Sequence, residues 1–256
     1  MTMPISSTID PLPTLMPDYY ESDRLLAEYL LFHYGSPAEI LPPHPPAGMS
    51  DALDFAVRTV SGLAEIPNGR ALDLGCAVGR SSYELSRTFT EVVGVDFSRR
   101  FIDAAAALRH GPLDYSRHDE ATLSTPLQAS LPPGVRPERV RFFRGDAMDL
   151  PEALSDFDLV HAANLLCRLR EPRKLLQRLP SLVRPGGTLL LVTPCTWLDT
   201  FTPEENWPPG NTLDWLVSEL SGSFLLESTR EEPFLIRETA RKFQWTSSLL
   251  SQWTRC

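Results

Sequence analysis

The chain lacks an excess of positive charge: 24 Lys plus Arg face 33 Asp plus Glu across 256 residues, for a formal net charge of −9. Tracking a phosphate backbone draws on clustered Lys and Arg, so a small-molecule or protein partner is expected and a nucleic acid is not. Paired cysteines are also missing. Cys76, Cys167, Cys195 and Cys256 stand apart with no CxxC or comparable ligand spacing, which argues against a disulfide framework and a metal site and suits a reducing compartment. No stretch approaches the roughly 18 apolar residues of a membrane span, and the first residues show no basic region followed by an apolar one. The expectation is a cytoplasmic protein with no membrane partner. Apolar surface is not lacking: 42% of residues are hydrophobic and 22% charged, enough for one α/β domain around a buried core.

Proline is abundant, with 24 residues, and clusters at 36–46, 125–137 and 202–210. Each cluster is too proline-rich for a helix or a central strand, so all three are expected as loops. Between them, short apolar runs alternate with helix-like segments. RALDLG (70–75), EVVGVD (91–96), VRFFRGD (140–146), FDLVHAAN (157–164) and GTLLLVT (187–193) read as buried parallel strands. Residues 80–87, 98–109 and 172–183 read as the intervening helices, the pattern of a doubly wound sheet.

The ends depart from this alternation. Two amphipathic helices are expected over 22–35 and 50–66, each opening with Ser-Asp, a favourable cap and first-turn pair. After the last parallel strand come a helix (212–220) and two strand-like runs, 224–229 and 241–245, expected as an antiparallel hairpin on the sheet edge. The chain is thus expected as a flexible segment over 1–18 and one domain over 19–256, with a helical cover at about 19–66.

The most informative string is ALDLGCAVGR (71–80), a strand turning through Gly75, Ala77 and Gly79 into a helix. Small residues there let backbone approach a ligand. A dinucleotide fingerprint would need glycines where Ala77 and Arg80 stand. The order D-x-G-x-A-x-G instead resembles motif I of class I S-adenosylmethionine (SAM) methyltransferases, and an acidic Asp73 suits a cofactor with a sulfonium and an amino group. Asp96 ends the second strand about 20 residues on, where a carboxylate can accept both ribose hydroxyls. By the resemblance, Asp146 of Gly145-Asp146-Ala147 accepts the adenine amino group, and Asn164 ends the fourth strand where cofactor and acceptor meet. The expected cofactor residues are Asp73, Gly75, Cys76, Ala77, Gly79, Asp96, Phe97, Asp146, Ala147 and Asn164. The fold that the resemblance implies is a Rossmann-like class I methyltransferase, with a mostly parallel seven-stranded sheet, an antiparallel C-terminal hairpin and N-terminal helices.

A closer resemblance rests on five strings: YYESDRLLAEYLLFHYG (19–35), RALDLGCAVGRSSYELSR (70–87), VVGVDFSRRFIDAA (92–105), TPCTWLDTFTPEENW (193–207) and IRETARKFQWT (236–246). Together they resemble the methyltransferase of ovothiol biosynthesis, which methylates the imidazole π nitrogen of 5-thiohistidine to give ovothiol A. The resemblance implies a thiolated substrate supplied by a separate sulfoxide synthase. It also puts Cys167 where a polar or acidic residue is expected. Methyl transfer of this kind is an in-line displacement in which positioning supplies most of the catalysis. Asn164, His161 and His33 are candidates for positioning, with His33, His161 or Glu238 as a base if one is needed. A zwitterionic acceptor calls for a cation, polar acceptors and aromatic walls. The candidates are Tyr20, Tyr34, Arg80, Arg168, Thr193, Trp197, Arg241, Lys242, Gln244 and Trp245. Another small histidine-like, thiol or hydroxyl acceptor, or a SAM-binding subunit without turnover, remain as alternatives.

Overall fold

A computed structural model describes residues 20–63, 66 and 68–256; the expected flexible segment at 1–18 lies outside the described residues. Strands β1 (Arg70–Leu74), β2 (Glu91–Asp96), β5 (Val140–Arg144), β6 (Phe157–Ala163) and β7 (Val183–Thr193) are parallel. Strands β8 (Phe224–Arg237) and β9 (Phe243–Arg255) complete a seven-stranded sheet of order β5-β2-β1-β6-β7-β9-β8, with β9 antiparallel to both its neighbours. The chain winds outward from β1 to β5 and then returns to the other side of β1. This topological switch opens a crevice at the carboxyl ends of β1 and β6, where open α/β sheets bind ligands.

Successive strand residues face opposite layers, and the two halves of the core follow from that alternation. Leu72, Leu74, Val160, Ala162, Leu189 and Leu191 pack with Leu175 and Leu179 of α6 (Pro172–Leu182) and Trp215 and Leu216 of α7 (Thr212–Leu220). Ala71, Val92, Leu159, Leu190 and Val192 pack on the other face. There they meet α4 (Arg80–Leu85), α5 (Arg99–Ala107) and the N-terminal helix α1 (Asp23–Tyr34), together with Phe55 and Phe234. Helix α1 begins as expected, with the Ser22 side chain accepting from the Leu25 N–H at 3.2 Å.

Four expectations need correction. The single helix over 50–66 is a 3-10 turn (Met49–Ala52) and a four-residue helix, α3 (Phe55–Arg58), separated by Asp54 in the left-handed region at φ 56°. The break lets Arg58 reach Glu232 at 3.0 Å and the Pro233 carbonyl. Another short helix, α2 (Pro37–Ile40), sits inside the first proline cluster, its Pro at the start of the helix where no N–H is needed. The second cluster is in part a strand: β4 (Leu123–Ala129) pairs with β3 (Leu113–Glu120) in a separate two-stranded sheet, Pro126 opposite Ser116. Both members of such a pair are edges, so proline loses little there. The C-terminal hairpin is also longer than expected. EEPFLIR belongs to β8, because Pro233 lies on the outermost strand of the sheet, while Arg241 and Lys242 fall in the turn.

Candidate functional site

The carboxyl ends of β1, β6 and β7 each lead into a non-glycine residue in the left-handed region: Ala77 at φ 46°, Asn164 at 52° and Cys195 at 52°. Such conformations cost of order 1–3 kcal/mol each and collect at functional sites. Gly75 (φ +70°) opens the β1 loop, where a Cβ would lie 3.2 Å from the Leu165 side chain, and its N–H and that of Cys76 both donate to the Val95 carbonyl. At Gly79 (φ +84°) a Cβ would come within 2.7 Å of the Phe142 ring. Its smallness therefore serves helix–sheet packing rather than ligand approach.

Asp96 organises the neighbouring strand end. Its Oδ2 accepts from the Ala77 N–H at 2.9 Å and its Oδ1 from the Ser98 N–H at 2.8 Å. A carboxylate offers about four acceptor positions, so each oxygen keeps one for a pair of ligand hydroxyls. Burial pushes this carboxyl up to about 6, against the pull of those two backbone donors, and the charges of Asp73 and Glu21 add to the rise. The Phe97 ring beside it is 46% exposed and carries the Arg144 guanidinium at 5.2 Å. Asp146 accepts from Met148 N–H at 2.8 Å through Oδ1 alone, beside the buried Ala147. A carboxylate for a diol, an open aromatic ring, a second carboxylate and a loop of small residues together fit an adenosine-bearing cofactor.

Asp73 sits deeper, 1% exposed, with Oδ1 on His161 Nδ1 at 2.8 Å and Oδ2 accepting from Ser82 at 2.6 Å. His161 Nε2 is buried without a hydrogen-bond partner among the described residues. Cys76 is a buried thiol pushed well upward by desolvation, so only its backbone is suited to a ligand. At β6, the Asn164 N–H donates to the Val192 carbonyl at 2.7 Å and its Oδ1 accepts from Ser248 at 2.8 Å. Ser248 was not foreseen; its signal is a hydroxyl inside the apolar run SSLLSQW.

The N-terminal segment closes over these strand ends. Tyr20 accepts from Ser98 Oγ through its carbonyl at 3.0 Å, and the Glu21 carboxylate caps α5 by accepting from Arg99 and Arg100 N–H groups. The Tyr20 ring meets Phe101 and also Phe201 of the loop after β7, with centroids 6.0 and 6.4 Å apart. Phe201, also unforeseen, carries the Arg168 guanidinium at 4.6 Å. Tyr34 donates to the Val78 carbonyl at 2.8 Å, which fixes the end of α1 on the β1 loop. His33 is held down to about 3, first by burial and then by the Arg80 charge, so it is neutral at physiological pH. A groove of about 450 Å³ between α1 and β3–β4 lies against Ala27, Glu28 and Leu31, the helix face opposite Tyr29 and His33.

Several expected acceptor residues are engaged by neighbouring protein groups or stand exposed. Arg80 is engaged by Glu84 at 3.0 Å and the His33 carbonyl at 2.8 Å. Thr193 is buried, its hydroxyl accepting from Cys195 N–H. Trp197 packs edge-on against Trp215 and donates to Thr212 at 3.0 Å. Arg241 and Lys242 sit in the β8–β9 turn, Lys242 and Gln244 both bind Glu238, and Trp245 is 59% exposed. Burial would raise the Glu238 carboxyl, but the bonds from Lys242 and Gln244 outweigh it and hold it low, which makes it a poor base.

Residues 47–243 match the family model described as Methyltransferase domain. The chain is 28% identical over 169 residues to O-methyltransferase resE of Aspergillus sclerotiorum, covering 65% of this chain and 55% of that one. It is 28% identical over 137 residues to demethylmenaquinone methyltransferase of Clavibacter sepedonicus, covering 54% and 46%. The chain thus spans about half the length of these curated relatives. A solved SAM-dependent methyltransferase of Methanosarcina mazei shares the fold at TM-score 0.51 and 17% identity, over 74% of this chain and 93% of that one.

Proposed function

Because the chain belongs to the methyltransferase-domain family, whose cofactor is S-adenosylmethionine, we propose that it methylates the imidazole π nitrogen of 5-thiohistidine, giving ovothiol A. One observation carries the reading. Four of the five segments that resemble the ovothiol enzymes meet around the strand ends: Tyr20 and Tyr34, the 75–80 loop, Asp96–Phe97, and the loop bearing Phe201. The fifth, at 236–246, braces the cover, with Arg237 donating to the Glu39 carbonyl at 3.0 Å and the Ala240 N–H to that of Asp119 at 2.9 Å.

In this reading Asp96 holds the ribose, Phe97 and Asp146 the adenine, and the 75–77 backbone the methionine end. When bound, the cofactor supplies a methyl group on a sulfonium sulfur. The chain's own residues orient and enclose. Asn164, fixed by Ser248 and the Val192 carbonyl, presents its amide at the end of β6. A ring nitrogen attacks through its lone pair, and the acceptor's own thiolate balances the charge that develops on the ring, so no strong base is required. Neutral His33 suits that demand, since a cation there would oppose the sulfonium. The thiolated acceptor would come from a separate sulfoxide synthase.

The test is incubation with 5-thiohistidine and isotopically labelled cofactor, with the methyl located by mass spectrometry. Label on the π nitrogen supports the proposal; label on sulfur, or none on this acceptor, rejects it.

A further inference from the structure

Arg168 forms no ion pair with a described carboxylate. It follows Asn164 by four residues, at the end of a 3-10 turn (Leu166–Arg168). All of its hydrogen bonds leave from Nη1, to the Cys167 carbonyl at 3.2 Å, the Cys167 thiol at 3.3 Å and the Thr196 carbonyl at 3.3 Å. Nε and Nη2 donate to no described protein group. Phe201 stacks beneath the guanidinium at 4.6 Å and in turn touches Tyr20. The group is therefore fixed on one side and in one plane, with the Nε/Nη2 edge open. By contrast, Arg80 is paired with Glu84, Arg100 with Asp23, and Lys242 with Glu238.

A half-buried guanidinium held by carbonyls and a thiol keeps its full charge and two parallel donors, which is the geometry that receives a carboxylate in a bidentate pair. We infer that Arg168 anchors the carboxylate of the methyl acceptor, so that the substrate class is a small carboxylate-bearing molecule. The hairpin-tip cations Arg241 and Lys242 have no part in this anchoring. The inference rests on this edge being the methyl-transfer site, and deepens that reading without depending on which nucleophile is methylated. The aromatic contact explains how binding would be felt beyond the anchor. Arg168 holds Phe201, Phe201 holds Tyr20, and Tyr20 is tied to the helix that follows Asp96.

The experiment compares the wild-type chain with Arg168→Gln and Arg168→Lys on matched acceptors with and without a carboxylate. The pairs are 5-thiohistidine and its decarboxylated amine, and imidazole, thiol and phenol pairs of similar size. Binding of S-adenosylhomocysteine is measured on each variant. The expected result is a KM for the carboxylate acceptor raised about 10- to 100-fold in Arg168→Gln, as for loss of a charge-assisted pair, with kcat changed less. Arg168→Lys should recover part of the loss, cofactor affinity should be unchanged, and the carboxylate-free partner should show no effect. Equal use of both partners by the wild type, a preference that survives Arg168→Gln, or methylation of no carboxylate acceptor overturns the inference. Failure on 5-thiohistidine alone, with another carboxylate acceptor showing the Arg168 dependence, rejects the proposed substrate and leaves the anchor standing.

Discussion

Lowering the pH should weaken cofactor binding through Asp96, and the size of the effect follows from its surroundings. The carboxyl is raised to about 6 because burial outweighs the donors from Ser98 and Ala77, and because Asp73 and Glu21 face it with like charge. Raised above the ordinary value near ~4, the folded state binds the proton more tightly than the unfolded chain. The stability contribution is therefore complete below about pH 4 and lost as pH rises through about 6, by roughly 3 kcal/mol at most. Ribose hydroxyls donate best to the ionised form, so the cofactor selects the state that folding alone disfavours. At about pH 5 only about a tenth of the carboxyl is ionised, and binding should be roughly tenfold weaker than at about pH 7.5. Asp96→Asn removes the titration. It also turns one amide N–H towards either the Ala77 or the Ser98 donor, which address different oxygens, a loss of about 1–3 kcal/mol offset by removal of a buried charge. Calorimetric titration of S-adenosylhomocysteine across this pH range should give a sloping wild type and a weaker, level variant. A level wild-type profile, or the same slope in Asp96→Asn, would refute the reasoning.

Other substitutions separate packing from chemistry. Gly79→Ala places a Cβ 2.7 Å from Phe142 at a φ of +84° and should destabilise by about 2–4 kcal/mol, read as a lower urea midpoint. Ser248→Ala removes the donor to Asn164 Oδ1. It should cost about 1 kcal/mol of stability and lower kcat more than it raises KM, because the β6 strand end loses its orientation; an unchanged kcat rejects that role. Lys242→Ala, which breaks a pair with Glu238 whose lysine end is exposed, should shift stability by less than about 1 kcal/mol and leave kcat/KM unaltered. A tenfold loss there would return the hairpin tip to the acceptor site.

The sheet and the cofactor loop were legible because their signals are local. A strand of Ala71, Leu72 and Leu74 running into Gly75, and a carboxylate ending the next strand, are patterns of ten residues or fewer. The cover was less legible because tertiary contacts shaped it. Residues 50–66 carry a helical pattern, yet Arg58 is drawn to Glu232, 174 residues away, and the helix breaks at Asp54. Pro126 reads as a loop marker and Pro233 falls between two strand-like runs, yet both lie in strands, since both strands are edges. The surroundings of the acceptor cations were hard to read for a related reason. Alternation assigns faces within a strand, but Arg241 and Lys242 are in a turn, and the open guanidinium, Arg168, sits in a segment with no periodicity. Pairing of Asn164 with Ser248 spans 84 residues, a distance over which no local pattern reports.

The three left-handed residues at the strand ends are tied into the sheet by hydrogen bonds. Each is held by a bond from outside its own turn or from the strand it terminates. Ala77 donates to Asp96 of β2, Asn164 donates to Val192 of β7 and accepts from Ser248 of β9, and Cys195 donates to the hydroxyl of Thr193. The strain of one strand end is thus opposed by hydrogen bonds that reach into its neighbours. Relaxing Ala77 would free one side of Asp96, and relaxing Asn164 would shift the segment that carries Leu165 against Gly75 and, three residues on, Arg168. Asp96 and the segment carrying Arg168, the carboxylate and guanidinium that the proposals assign to cofactor and acceptor, thus share a single hydrogen-bonded edge of the sheet. That arrangement supplies what a displacement between two bound partners needs, since misplacement of the reacting atoms by about 1 Å can cost about 100-fold in rate.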